Sequence, residues 1–431
     1  MGDAETINQL AARVRRDFPL LSRTLDAGPL VFLDSASTTP KPNVVIDAVA
    51  HYYKHCTANV HRGVHALGEE ATRMYDAARL EVAALIGAQP DEIVLVRGTT
   101  EAINLVAHAL ELTNEDEVVF PASEHHANWL PWRVRAKPVP MPIDQDGVPL
   151  WGTLSELITS KTRLVSIGHV SNVTGAIAPV ESVVSMARAR GVPVLLDAAQ
   201  SISHLPIDVK ALGVDFLAAS SHKAFGPSGS GVLYATRARL VKFPLYQVGG
   251  GMVAVNEDIG APETIAPVAP CEGGRVLDRA AQTHGFIPRD APFRFEAGTP
   301  AIEATIGFGA AIKWMREIGM EAIREHDNAL ARYLIGKLRK IPHVRVLAAD
   351  LPVERRIALA TFVVDSPQMT QENVARALCD TFGVCVSGGY HCAHVLHART
   401  KLHGTVRASP HLFNTTDEID KLVFGVERIA E

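Results

Sequence analysis

Lys223 stands in Ser220-Ser221-His222-Lys223, directly after an apolar run, with the turn Gly226-Pro227-Ser228-Gly229-Ser230-Gly231 behind it. A lysine amine kept from water is a nucleophile for aldehydes and forms Schiff bases with them. Ser220 and His222 can donate to a phosphate. Alone, the same residues describe a surface loop with a solvated lysine. Asp197 shifts that balance. It opens Asp197-Ala198-Ala199-Gln200 after the apolar run Val192 to Leu196. A carboxylate there needs a partner to offset desolvation. A pyridinium nitrogen is such a partner; capping of a following helix is the plain alternative. Two strand-end groups of complementary role are hard to obtain by accident.

Two further segments carry chemistry. Arg97-Gly98-Thr99-Thr100-Glu101 precedes a helical pattern. A glycine turn with hydroxyls at a helix N-terminus attracts anions through free N–H groups and the helix dipole; simple threonine capping gives the same pattern. A phosphate there would complete a cofactor whose ring lies near Asp197 and whose aldehyde reaches Lys223. In Glu124-His125-His126-Ala127-Asn128, adjacent histidines rarely converge on one metal ion. One imidazole lying flat on a cofactor ring, acting as acid or base, fits better. His126 reads as a structural histidine, and no metal is expected.

These residues need a scaffold. Short β-branched runs at Glu92 to Val96, Glu117 to Phe120, Arg163 to Gly168, Val192 to Leu196, Val214 to Ala218 and Gly231 to Tyr234 alternate with helical patterns such as Glu101 to Leu110 and Val180 to Ala189. That alternation predicts an α/β fold with a mainly parallel sheet, and ligands outside the carboxyl ends of its strands. The motifs fall at those ends. A long helix is predicted from Ile302 past Met315, continuing in later helical patterns toward Leu338. Apolar runs at Val344 to Leu347 and Ile357 to Val364, a helix at Gln371 to Phe382 and a Gly-rich loop follow. The expected division is 1–30 as a segment packing on the small domain, 31–305 as a large domain and 306–431 as a smaller α+β domain. Val253 to Ala291, rich in Gly, Pro and Ala, is too long for an ordinary loop and reads as a lid or a partly disordered insertion.

Composition excludes several classes. The 431 residues are 47% hydrophobic and 21% charged, ordinary for a globular protein, and the net charge of -5 has no basic block for nucleic acid. No apolar stretch is long enough to span a membrane. Cys56, Cys271, Cys379, Cys385 and Cys392 make an odd set without metal-ligand spacing. With no signal-peptide pattern at the N-terminus, a reducing cytoplasmic setting is expected. Cys392 stands out because Gly388-Gly389-Tyr390-His391-Cys392-Ala393 is a poor core element. An exposed thiolate nucleophile is the sharper reading there, a packed small hydrophobe the plain one. The other cysteines read as packed.

Taken together, the motifs resemble the class V branch of fold-type I pyridoxal-phosphate (PLP) enzymes, and within it the group II cysteine desulfurases and selenocysteine lyases. Leu33-Asp34-Ser35-Ala36, Asn59-Val60-His61-Arg62-Gly63, His169-Val170-Ser171-Asn172, Gly249-Gly250-Gly251-Met252 and Arg294-Phe295-Glu296-Ala297-Gly298-Thr299-Pro300 extend the likeness from about Phe32 to Ile429.

The resemblance implies a seven-stranded sheet and these roles. Lys223 carries PLP and shuttles protons, Asp197 pairs with the pyridine nitrogen, Gln200 bonds the phenolic oxygen and His125 stacks on the ring. Thr99, Thr100, Ser220 and His222 hold the phosphate, with Thr299 reaching in from a partner subunit. Asn172 lies beside the substrate, and Arg407 binds its carboxylate. Cys392, aided by His391, attacks the substrate sulfur, so L-cysteine becomes L-alanine and a persulfide remains for a sulfur-acceptor protein, in iron–sulfur assembly for example. A homodimer with shared active sites is implied.

Two departures are visible. Ser387 occupies a position where the family usually has arginine, and the segment between Gly251 and Phe293 is longer than usual. Ser387 keeps open a selenocysteine lyase or another C–S lyase. A catalytically silent scaffold is the rival of a different class, against which the intact Lys223 argues.

Overall fold

The protein is described by a computed structural model covering residues 2–254, 286–366 and 369–431. Its main sheet contains β1 (Ile93–Val96), β2 (Glu117–Pro121), β3 (Lys137–Met141), β4 (Thr162–Gly168), β5 (Val194–Asp197), β6 (Phe216–Ser220) and β7 (Gly231–Ala235). The seven strands lie in the order β1-β7-β6-β5-β4-β2-β3. β7 runs antiparallel to β1 and β6, and the other pairings are parallel. Continuous apolar runs such as Val-Leu-Leu in β5 suit strands covered on both faces.

Six strands coincide with the apolar runs read from the sequence. The seventh, β3, is Lys-Pro-Val-Pro-Met and pairs only with β2. Its two prolines break the usual strand signal, and an edge position tolerates them because one side of the strand needs no ladder donors.

The helices used below are α1 (Asp3–Val14), α2 (Asn43–His55), α3 (Ala66–Ile86), α4 (Thr99–Ala109), α5 (Ile302–Ile318), α6 (Met320–Leu338), α7 (Gln371–Phe382), α8 (His394–Thr400) and α9 (Thr416–Ala430). The long helix expected from Ile302 past Met315 is α5, and the later helical pattern toward Leu338 is a separate helix, α6. Gly319 separates them with φ 96°, a left-handed conformation that glycine adopts without a Cβ clash. α5 packs on α2 and α3, and its apolar residues join the core of the main sheet.

A second sheet holds β8 (Val344–Val346), β9 (Ala360–Val364), β10 (Ser387–Gly389) and β11 (Thr405–Ala408) in the antiparallel order β8-β9-β11-β10. α6, α7 and α9 supply its core, and Ile7 of α1 is buried there too. Asn8 exchanges hydrogen bonds with Thr416, and Arg332 pairs with Asp3. The short parallel pair Val31–Phe32 with Val384–Cys385 joins the segment before α2 to the one after α7. Most of the Val253 to Ala291 stretch, together with Cys271, lies outside the described residues. No helix among the described residues is long and apolar enough to cross a membrane.

One buried ion pair ties the main sheet to the segment leading into α5. Arg79 of α3 donates to both oxygens of Glu296 at 2.7 and 2.9 Å, and Leu95 of β1 donates to the same carboxylate at 2.8 Å. Both side chains are at most 8% exposed. Glu296→Ala strands a buried guanidinium, so it should cost about 3–5 kcal/mol. Urea unfolding checks this. A midpoint equal to the wild type would remove the pair from the stabilising set.

Candidate active site

The parallel strands deliver their C-terminal residues to one cavity of about 530 Å³, closed on the far side by the second sheet. Asp197 is the last residue of β5 and Ser220 the last of β6. A tight turn, Ser221–Lys223, follows β6 and brings Lys223 to the cavity. Desolvation inside the cleft pushes the Lys223 amine down to about 8 and outweighs the pull of Asp197 in the other direction. Burial raises Asp197 above the usual carboxylate range, although the Ala199 N–H donates to one of its oxygens at 2.9 Å. Its second oxygen is left to a further donor. The lysine–aspartate pairing read from the sequence is therefore brought together in space.

The anion site is built from two glycines. Gly231 of β7 runs so close to Gly98 that a Cβ on Gly231 would lie 2.5 Å from the Gly98 Cα. That contact seats the start of α4 against β6. There Ser220 Oγ accepts the Thr99 N–H at 2.8 Å and lies 2.7 Å from Thr99 Oγ1. Thr99, Thr100, Ser220 and His222 all line the cavity beside first-turn amides of α4 that have no helical partners. Burial lowers His222 to about 4, so it acts as a neutral ring.

His125 lines the cavity, and its Nδ1 accepts the Ala127 N–H at 3.1 Å, which puts the ring proton on Nε2. Burial lowers this histidine to about 4, with Lys223 adding to the effect. His126 turns away. Its ring centre is 6.4 Å from that of His125, and it stacks on His394 of α8 at 4.9 Å. Gln200 donates to the Ala36 carbonyl at 2.9 Å from within the cavity wall.

The second sheet contributes the other end. Arg407 of β11 lines the cavity and donates to Asn172 O at 3.0 Å, Ser37 Oγ at 2.7 Å and Asp34 at 3.3 Å. Its Nε is buried without a partner among the described residues. Asn172 also donates to the His391 carbonyl at 2.8 Å. The Cys392 carbonyl accepts the His126 N–H at 2.9 Å. Two bonds from the main-sheet side therefore hold the loop that presents Cys392. His391 and Cys392 have φ of 49° and 55°, uncommon for residues other than glycine, and Cys392 is exposed at the cavity.

The His391 ring has partners of its own. His391 was expected to help Cys392 toward the thiolate. Its Nε2 meets Thr405 Oγ1 at 3.0 Å, its Nδ1 lies 3.4 Å from Ser387 Oγ, and burial lowers it to about 3. The ring is neutral and braces the loop. Thr299 is exposed and is not among the residues lining the cavity of its own chain.

Three groups received no role from sequence: Ser37 and Glu124 line the cavity, and Asp34 stands behind it. Asp34 and Ser37 brace Arg407, as given above. Glu124 accepts from Gly168 N and Asn128 Nδ2, both at 2.8 Å, and burial raises it to about 8. All three lie in or beside motif segments, but only the folded chain shows what they face.

Residues 31–422 match the aminotransferase class-V family. The chain is 38% identical to a Yersinia pseudotuberculosis cysteine desulfurase, over 97% of this chain and 98% of that one. It is 39% identical to a probable cysteine desulfurase of Mycolicibacterium paratuberculosis over 97% of this chain, and spans 58% of that longer relative. The apo structure of a cysteine desulfurase from Thermococcus onnurineus NA1 superposes with a TM-score of 0.84 at 31% identity, covering 97% of this chain and 98% of that one. The cavity at the strand ends is thus the cavity of a chain that belongs to the aminotransferase class-V family.

Proposed function

We propose that this chain is a PLP-dependent cysteine desulfurase of the group II, sulfur-mobilisation type, releasing L-alanine and leaving a persulfide on Cys392. The observation that carries this reading is that Cys392, Lys223 and Arg407 line one cavity. The residues present fit PLP. A buried aspartate with an unspent oxygen suits a pyridinium, an amine lowered to about 8 suits an aldehyde, and the α4 terminus with Ser220 and His222 suits a phosphate. PLP, when bound, supplies the electron sink for bond breaking next to the substrate amine.

The chain's own groups divide the remaining work. Arg407 offers its unpartnered Nε–H to the substrate carboxylate, while Asp34 and Ser37 hold the guanidinium in place. The Lys223 amine, lowered to about 8 at the cavity wall, would take and return the proton on the substrate Cα. His125, neutral with its proton on Nε2, lines the same cavity and would stack beside the bound ring, where it could pass that proton. Cys392 Sγ attacks the substrate sulfur. The Sγ–S bond forms, the substrate C–S bond breaks, and a proton added to the former Cβ completes alanine. The balance is L-cysteine plus a thiol giving L-alanine plus a persulfide. Gln200 and Asn172 border the same space. An exposed Cys392 suits hand-over to a sulfur-acceptor protein. The exposed Thr299 suits a homodimer in which it serves the partner's cavity.

Two outcomes test this reading. The purified protein with PLP and L-cysteine should form alanine, and Cys392→Ala should reduce the rate by at least two orders of magnitude; undiminished alanine from that variant would sink the role of Cys392. Selenocysteine, with its C–Se bond, and other amino acids with a C–S bond belong in the same panel, because Ser387 replaces the usual arginine. The second outcome concerns Lys223. Its nucleophilic amine form dominates above about 8 rather than above the ordinary 10.5. The rate at which the cofactor-free protein captures PLP, followed by absorbance, should rise with pH and level off just above that value. A rate still climbing toward the ordinary lysine range would contradict the desolvated site.

A further inference from the structure

α7 ends in a left-handed cap. Gly383 has φ 65°, and its N–H bonds the Cys379 carbonyl at 2.9 Å. The turn folds the chain back, so that Cys385 Sγ comes to 3.8 Å from Cys379 Sγ. Both residues are partly exposed, within reach of small solutes. A disulfide needs about 2.05 Å between sulfurs, and side-chain rotation of about 2 Å supplies that closure. Burial and the neighbouring Cys379 push the Cys385 thiol up to about 11, while Arg23 acts on it in the opposite direction as a nearby cation. Cys56, by contrast, is buried, with its sulfur 3.7 Å from the Met74 sulfur.

We propose that Cys379 and Cys385 form a dithiol site that takes sulfane sulfur from persulfides or polysulfides and closes to a disulfide, releasing hydrogen sulfide. In the first step a thiolate of the pair attacks the outer sulfur of a persulfide RSSH. A new S–S bond forms, the old one breaks, and RSH leaves. In the second step the other thiolate attacks the cysteine sulfur of the resulting Cys–S–SH. The Cys379–Cys385 bond forms and hydrosulfide leaves. The sum is RSSH plus two thiols giving RSH, hydrogen sulfide and one disulfide; the two thiol sulfurs are oxidised and the sulfane sulfur is reduced. The bond forms behind the substrate end of the cavity. The Cys385 carbonyl accepts the Leu33 N–H at 2.9 Å, and Leu33 precedes Asp34, the partner of Arg407.

The chemistry of the pair does not rest on the desulfurase reading, because the probe is inorganic polysulfide. Reduced holoenzyme, freed of reductant, is treated with polysulfide without oxygen, alkylated with iodoacetamide and mapped by mass spectrometry. The expected product is an intramolecular Cys379–Cys385 disulfide that dithiothreitol reopens, with Cys56 outside it. Cys379→Ser should leave Cys385 carrying a persulfide and no disulfide. Recovery of both residues as alkylated thiols, as two separate persulfides, or in bonds between chains would overturn the proposal. Failure of Cys392-dependent alanine formation would count against the desulfurase reading alone.

Discussion

Desolvation of opposite charges at the strand ends is the constraint on which the site depends. Lys223 and Asp197 are both pushed toward their neutral forms by burial, and each partly restores the charge of the other. Neither would be tolerated singly at that depth. Placing them on adjacent strands requires β5 and β6 to be parallel neighbours, and their register sets Asp197 opposite Ala218, two residues before the last residue of β6. A doubly covered parallel sheet meets that need, and its apolar strands are the consequence.

The same logic extends to the other half of the cavity. Arg407 is buried, and burial lowers its pKa, yet Asp34 opposes that shift as its ionic partner. Asp34 is itself raised by burial. It lies in a segment anchored twice, by the parallel pair Val31–Phe32 with Val384–Cys385 and by its own bridge to Ser409. Residues from near the start of the chain are thereby recruited to position a guanidinium near its end. Asn172 joins the halves most directly, since it meets both Arg407 and the His391 carbonyl.

How much of this was legible in the sequence depended on whether a signal was local. β5, β6 and α7 follow from apolar runs and helix periodicity, and α7 occupies the expected bounds, Gln371–Phe382. The cavity residues Asp197, Lys223, Thr99 and Ser220 were readable because each sits at a strand end or in a turn beside an apolar run, whereas Arg407, inside β11, came only from the family resemblance. β3 was hidden by its prolines. The break at Gly319 was hidden because apolar periodicity runs through it, whereas a glycine with positive φ stops the helix. The His391 ring could not be aimed from sequence. Its partner Thr405 becomes a neighbour only when β10 and β11 pair. The closeness of Cys379 and Cys385 is equally a product of the fold, made by one left-handed turn.

Pairing of β10 with β11 also gives the departure at Ser387 a physical meaning. Ser387 stands directly opposite Arg407 in that register, while Thr361 of β9 stands opposite Arg407 on its other side. Directly opposed like charges destabilise an antiparallel pair. An arginine at 387 would add a second guanidinium across from one that is already desolvated, with Asp34 as the carboxylate bonded to it. Serine avoids that repulsion and lends its hydroxyl to the His391 ring instead. On the proposed function the cost would fall on the ligand side, because a substrate carboxylate would meet Arg407 without a second guanidinium at position 387. Substrate recognition would then lean on Arg407 held by Asp34, Ser37 and Asn172, and the cross-strand position braces the loop that carries Cys392.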